Sequence, residues 1–289
     1  MIAPIFKDKA LQNAFDEFGF VKIPLLTKQE IEKLISLFYT HHHNLSEDNF
    51  SASSFLNEKQ KKTEIKEAIY PIFEQHFEKI FTNYTYFGSS YLYKTSGKNS
   101  AVSPHQDWTI VDEKQFVAIN IWTPLIDTNA DNGTLFVVPK SQAQKMFALR
   151  APTIPFYFLK YFDAVLRCGI PTNAVAGEAV ILNQSLIHYS SANTSDKIRI
   201  AITSGIKSKG APMLFHYRNA HNEINRYTMP EDFLLDFADF GKDIYETPAN
   251  ALDAEKIAYN HPAISKIDFL EKFGNKRLSF WDKIKEHFR

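Results

Sequence analysis

Ten histidines are spread along a chain of 289 residues, and three of them stand two positions before an acid. These are His76-Phe77-Glu78, His105-Gln106-Asp107 and His221-Asn222-Glu223. Backbone geometry separates the three. On a helix, residues two apart point about 200° away from each other, so His76 and Glu78 cannot grip one ion if their segment is helical. On extended backbone, residues two apart face the same side, and both reach one metal. Ser103-Pro104 favours extended backbone ahead of His105, which singles out His105 and Asp107. His221 and Glu223 read as a loop with no obvious third ligand. His41-His42-His43 falls near a predicted helix C-terminus, where positive charge is favourable, and reads as a solvated end. His216, His261 and His287 have no ligand-type partner nearby in sequence.

A lone His-x-Asp recurs by chance, and a third ligand lifts it. His188 stands beside a later predicted strand. Two histidines and a carboxylate on one face leave open metal positions, the arrangement of non-haem Fe(II) oxygenases. Zinc binds the same set, so the triad by itself does not identify the metal. Arg199 adds a second kind of chemistry. It interrupts Ile198, Ile200 and Ile202, and by period two it shares a face with Ala201 and Thr203. A guanidinium on the inner face of a β-structure is costly without an anion. A carboxylate ligand supplies one through two parallel charge-assisted hydrogen bonds. On an outer face the same arginine would make only a local salt bridge.

These residues need a framework of strands to hold them. Residues Tyr84 to Lys94, Phe116 to Trp122, Thr134 to Val138, Ala179 to Asn183 and Ile198 to Ile206 are rich in β-branched and aromatic side chains. Asp131-Asn132-Gly133 reads as a hairpin turn, because Asn-Gly supplies the positive φ angles that a tight turn requires. Many short strands separated by turns predict a sandwich or closed barrel. The first third is helical instead. Leu11, Phe15 and Phe18 form an apolar stripe that Gly19 ends, and Phe20 to Ile23 follow as a short strand. Thr27 and Glu30 make a capping box for a helix running to about His41, and a further helix over 64–81 is interrupted by Pro71. Residues 143–170 insert an aromatic-rich helical stretch, either a lid or plain packing. After residue 210 the pattern loosens, with helical segments near 264–273 and 278–288.

Composition bounds the function. Apolar residues make up 44% of the chain and aromatics 14%, enough for a large buried interior. Lys plus Arg and Asp plus Glu number 33 each, so no net field draws the chain to nucleic acid. The single cysteine, Cys168, rules out an internal disulfide and fits a reducing compartment. No window reaches the roughly 18 consecutive apolar residues that span a membrane. Met1 to Phe20 lacks an uninterrupted apolar stretch of the kind signal peptides carry, so a cytoplasmic location is expected. The sequence carries no signal for the oligomeric state.

Taken in order, Pro104-His105-Gln106-Asp107, Trp122-Thr123-Pro124-Leu125, Asp131 to Leu135 with Pro139, and Gly177 through His188-Tyr189-Ser190, Asn193, Ser195 and Arg199 closely resemble the phytanoyl-CoA dioxygenase family of Fe(II)/2-oxoglutarate oxygenases. The resemblance covers roughly residues 85–206. It implies a mainly β fold with flanking helices around a double-stranded β-helix, the jelly-roll or cupin-like core. It implies iron held by His105, Asp107 and His188, and Arg199 on the distal carboxylate of 2-oxoglutarate, with Ser190, Gln106 and Trp122 as further contacts. The implied reaction uses O₂, converts 2-oxoglutarate to succinate and CO₂, and hydroxylates an unactivated C–H bond of a small molecule. Asp107 argues against the related halide-binding variants, in which a small residue replaces that carboxylate. Pro139-Lys140-Ser141-Gln142 departs from the family's usual Pro-Gly-Ser-His. The expected organisation is a single domain over 1–289, with helical support at 1–82, a core at 83–210 carrying an insert at 143–172, and an extension at 211–289. Two other readings compete: a non-catalytic metal-binding cupin-like protein, and a zinc hydrolase, for which no general base is evident. Tyr91, Tyr93, Asn120, Gln184 and residues 156–162 are candidates for the pocket wall. None of these features selects a substrate.

Overall fold

The computed structural model describes residues 2–43, 45, 47–142, 148–260 and 264–274. The chain opens with helix α1 (Lys9–Phe18), strand β1 (Phe20–Pro24), helix α2 (Lys28–His41), strand β2 (Phe50–Ala52) and helix α3 (Lys59–Ile80). Strands β3 (Tyr84–Lys94), β4 (Val102–His105), β5 (Ala118–Pro124) and β6 (Leu135–Val137) follow. Helix α4 (Phe162–Cys168) precedes β7 (Ile170–Pro171), β8 (Glu178–Asn183), β9 (His188–Ser190) and β10 (Arg199–Ser208). The described chain ends with β11 (Met213–Arg218), β12 (Ile224–Met229), α5 (Phe240–Asp243), β13 (Asp253–Ile257) and α6 (Lys266–Phe273).

Two antiparallel sheets form the jelly roll. The larger has the order β1-β8-β5-β10-β3-β2 and the smaller β4-β9-β6-β7, and the two do not close into one ladder. Period two along the central strands of the larger sheet assigns its faces. Ile119, Ile121, Ile181, Ile200 and Ile202 pack outward into a core that includes Phe15, Phe38, Ile65, Ile69, Phe73 and Phe77 of α1 to α3. The alternate residues Asn120, Trp122, Arg199 and Thr203 face a cavity. A sheet buried on both sides in this way lacks the apolar-in, polar-out alternation of a half-exposed one.

The helix ends obey the local chemistry of the sequence. Asp8 caps α1, and Gly19 stops it in the left-handed region at φ 81°, its N–H donating to the Phe15 carbonyl. Thr27 and Glu30 form the reciprocal capping box of α2. Lys140, which departs from the Pro-Gly-Ser-His pattern of the resemblance, adopts a φ of 68°. Its N–H donates to the Phe18 carbonyl at 2.9 Å, and its ammonium reaches Glu17 at 2.8 Å. Attachment to α1 thus holds a lysine in a conformation that favours glycine.

Several expectations are corrected. Pro71 does not interrupt the third helix, which runs from Lys59 to Ile80 with the proline on its exposed side. Asp131 to Gly133 is no hairpin, because β5 and β6 flank it in different sheets and only Gly133 among the three has positive φ. The stretch inserted at 143–170 holds one short helix, α4, a single 3₁₀ turn and irregular backbone; residues 143–147 lie outside the described residues. Beyond residue 210 the loosening conceals a third sheet, ordered β11-β12-β13. The expected helix at 264–273 is present as α6, while the segment at 278–288 lies outside the described residues, as do His261 and His287. His42 is not solvated: it is buried, stacks on Phe38 and shares a hydrogen bond with Ser53. No described helix is long and apolar enough to cross a membrane.

The proline inside α3 yields a test. It removes one backbone donor and leaves the Glu67 carbonyl without its helical partner. Pro71→Ala is expected to raise unfolding stability by about 1–3 kcal/mol, reduced from the full helix-interior penalty by the added freedom of the unfolded chain. Urea unfolding with an unchanged m value measures it; a loss of stability would show that the proline ring is required for packing.

Candidate active site

His105 ends β4 and His188 begins β9, and the two are Cα partners in the ladder of the smaller sheet. Their ring centroids are 4.2 Å apart. Each ring is locked through Nδ1, His105 to the Ser103 carbonyl at 2.8 Å and His188 to the Leu186 carbonyl at 2.9 Å. A carbonyl only accepts, so Nδ1 carries a proton in both rings and Nε2 is the nitrogen left to meet a metal. Burial, reinforced by the neighbouring His188, pushes the His105 pKa down to about 4 despite Asp107 and the Ser103 bond. The neutral form that binds metals therefore prevails there at pH 7.

Asp107 lies just past the end of β4, so the regular strand expected to carry both ligands stops one ligand short. Hydrogen bonds replace the strand. The Asp107 N–H donates to the Gln184 carbonyl at 3.0 Å, and its own carbonyl accepts from Arg150 Nε at 2.8 Å. Arg150 is buried and paired through both terminal nitrogens with Glu113. The Asp107 side chain is aimed by Asn120, whose amide donates to Oδ2 at 3.1 Å. Thr203 in turn donates to the Asn120 carbonyl oxygen. Asp107 Oδ1 is left 3.7 Å from His188 Nε2. One ligand atom from each of His105, Asp107 and His188 lies within 4.8 Å of the others, so the three could hold one metal ion. Among the described residues no other such group occurs.

Arg199 enters the same cavity from the opposite sheet, at the start of β10. It is 1% exposed, donates from one terminal nitrogen to the Leu92 carbonyl at 3.1 Å, and lies 5.8 Å from the Trp122 ring. Its Nε is buried with no hydrogen-bond partner, and it forms no ion pair with a described residue. Burial lowers its pKa to about 9, which keeps it charged at pH 7. Lys94, its partner across β3 and β10, is also fully buried and donates to the Ser191 carbonyl. Burial and the adjacent Arg199 charge push the Lys94 pKa to about 6, so this lysine is mostly neutral and leaves the arginine as the standing charge.

The cavity has a volume of about 550 Å³. Gln106, Ser190 and Trp122 line it, as do Asn120 and Gln184. Tyr91 and Tyr93 do not: they face the helices, where Tyr91 donates to the Leu34 carbonyl at 2.8 Å and both rings pack on Phe38. Nor do residues 156–162, of which Phe156, Tyr157, Phe158 and Tyr161 pack with Phe269 in a separate cluster. Away from the histidines the cavity is roofed by Phe55, Trp108, Leu234, Leu235, Phe240 and Ile244. Phe240 stacks between Phe55 at 4.6 Å and Trp108 at 6.0 Å. The sequence reading missed Lys62, which lines the cavity from α3 and is 3% exposed. A signal for it existed: Lys62 stands on the same helical stripe as Ile65, Ile69 and Ile72, so it faces inward by periodicity.

A family model described as phytanoyl-CoA dioxygenase (PhyH) matches residues 15–201. The chain belongs to this family. A phytanoyl-CoA dioxygenase domain-containing protein 1 from Danio rerio is 29% identical over 122 residues, 40% of this chain and 42% of that protein. Phytanoyl-CoA dioxygenase 1 of Oryza sativa subsp. japonica is 29% identical over 124 residues, again 42% of its length. The match thus spans less than half of these curated relatives. Among solved structures, the non-heme alpha ketoglutarate dependent carbocyclase SnoK from nogalamycin biosynthesis superposes with a TM-score of 0.52 at 18% identity, covering 71% of this chain and 86% of that one. AviO1 from Streptomyces viridochromogenes gives 0.50 at 17% identity over 70% and 95%. At such identities the likeness is one of fold, the jelly roll.

Asn120 orients the carboxylate without belonging to the triad. Asn120→Ala is expected to weaken divalent-metal affinity by about 10- to 100-fold while leaving the melting temperature within a few degrees. A competitive chelator titration reads the affinity; an unchanged value would mean that Asp107 is oriented by its backbone bonds alone.

Proposed function

We propose that the protein is an Fe(II)- and 2-oxoglutarate-dependent dioxygenase that hydroxylates an unactivated C–H bond of a small molecule, with release of succinate and CO₂. The observation that carries the reading is Arg199, a buried guanidinium with an unsatisfied Nε and no ion pair with a carboxylate among the described residues, in one cavity with a two-His, one-Asp cluster. An uncompensated buried cation costs several kcal/mol unless an anion joins it. A cosubstrate with a distal carboxylate is such an anion, and the planar fork of arginine matches it. Family membership and the donor set support the same reading: two neutral imidazoles and one carboxylate suit Fe(II) and leave positions for a chelating keto acid.

His105, Asp107 and His188 would hold the iron, and Arg199 the distal carboxylate of 2-oxoglutarate. Together the two groups supply the activation of O₂ that oxidises a C–H bond, coupled to decarboxylation of the cosubstrate. The chain does the positioning. Trp122 walls the arginine and keeps water from it. Ser190 offers a hydroxyl from the strand of His188. Gln106 donates one amide N–H to the Ser185 carbonyl and has one left for a ligand. The aromatic roof excludes water from the reacting centre, and the Asn120–Thr203 pair holds the carboxylate still.

Two measurements test this. Purified protein reconstituted without oxygen is expected to bind one Fe(II) per chain, and His188→Ala to lose most of it by elemental analysis; equal iron in both proteins would sink the triad. Anaerobic calorimetry is expected to show Arg199→Ala weakening 2-oxoglutarate by about 30-fold to several thousand-fold, equivalent to roughly 2–5 kcal/mol, with iron binding little changed. Arg199→Lys should recover little, because an ammonium lacks the fork. Equal affinities in wild type and Arg199→Ala would favour a metal-binding protein without this cosubstrate. Succinate release against panels of small molecules then reports turnover.

A further inference from the structure

Among the described residues, two cations line the cavity, Arg199 and Lys62, and one carboxylate, Asp107. On the reading above, a divalent metal and Arg199 carry three positive charges, and Asp107 with the 2-oxoglutarate dianion carries three negative ones. The reaction centre is then neutral without Lys62. The Lys62 side chain is buried under the roof, and its ammonium donates to the Phe237 carbonyl at 2.6 Å. It forms no ion pair with a described residue. Burial lowers its pKa, Asp236 and Asp243 pull it back up from a distance, and Lys59 adds to the lowering. Nearby Lys59 is engaged: it is paired with Asp232 and Asp236. An ammonium with donors to spare, in a pocket walled by Phe55, Trp108, Leu235 and Phe240, lacks one negative charge.

The rim points the same way. The segment that supplies Leu234, Leu235, Phe240 and Ile244 to the roof also carries Glu231, Asp232, Asp236, Asp239, Asp243 and Glu246; Lys59, Lys207 and Lys242 pair with four of these, and Asp239 and Asp243 form no ion pair with a described residue. A molecule bearing several phosphates would meet like charges there, and no described cation lining the cavity remains to receive them.

We infer that the substrate is a free, largely apolar molecule with a single carboxylate, which Lys62 receives, and that it is not a coenzyme A thioester. The inference rests on the proposed function. Lys62 is here a specificity-determining residue, and the aromatic roof receives the body of the molecule.

The test uses three probes that share one apolar body: 4-phenylbutanoate, 4-phenylbutanol and 4-phenylbutanoyl-coenzyme A. Each is titrated calorimetrically into the full chain loaded anaerobically with Fe(II) and saturating 2-oxoglutarate. The carboxylate is expected to bind at least tenfold more tightly than the alcohol, and the thioester no more tightly than the alcohol. Lys62→Met should erase the preference for the carboxylate and leave the alcohol unchanged, and Lys62→Arg should restore part of it. Equal binding of carboxylate and alcohol, a thioester that binds more tightly than the carboxylate, a preference retained in Lys62→Met, or no binding of any probe overturns the inference. The wild-type comparison needs no variant, so a misfolded mutant does not spoil it. Titration of 2-oxoglutarate alone separates the two levels: if it fails to bind, the proposed function falls, and if it binds while the probes are not discriminated, only the Lys62 assignment falls.

Discussion

An arginine held in a buried interior, with no ion pair to an acid among the described residues, constrains everything around it. The folded protein must supply enough favourable packing elsewhere to tolerate the charge. It does so through the double burial of the larger sheet, whose outer isoleucines meet three helices and whose inner face surrounds Arg199. Burying each such side chain contributes about 1.5–3 kcal/mol, so a handful of them offsets one desolvated guanidinium. Lys94 relieves the strain from the other side, because its depressed pKa removes a second positive charge from the same corner.

The candidate metal ligands are held differently. His105 and His188 are fixed by ladder pairing and by local Nδ1 bonds, which depend on a few residues close in sequence. Asp107 has no strand to lie in and depends on distant groups: Gln184, Asn120, and Arg150 with its partner Glu113. Arg150 comes from the inserted stretch between β6 and α4, so that insert has a structural duty beside the candidate metal ligands even though its aromatic run packs elsewhere.

Much of this was legible in the residues. The His-x-Asp pair, the later histidine and the alternating isoleucines around Arg199 obey short-range rules, and the structure brings all four side chains into one cavity. Helix ends were readable for the same reason, since capping is local. Which face of a strand looks inward was not. Tyr91 and Tyr93 share a strand with Ser90 and Leu92, and because both faces are buried, composition does not distinguish the wall of the pocket from the helix interface. The third sheet escaped notice because Met213 to Tyr217 is a near-continuous apolar run with no alternation. Pro71 misled in the other direction: a proline on the exposed side of a long helix is outvoted by the apolar stripe opposite it.

The family match ends at residue 201, and most of the roof lies beyond it, in Leu234, Leu235, Phe240 and Ile244. The groups proposed to carry out the oxidation and the groups that would choose what is oxidised therefore belong to separate stretches of chain. Such modularity lets descent preserve a reaction while its object changes, since replacing the later stretch leaves the ladder of His105 and His188 untouched. A relative's name drawn from the earlier stretch consequently says nothing of the residues that form most of the roof.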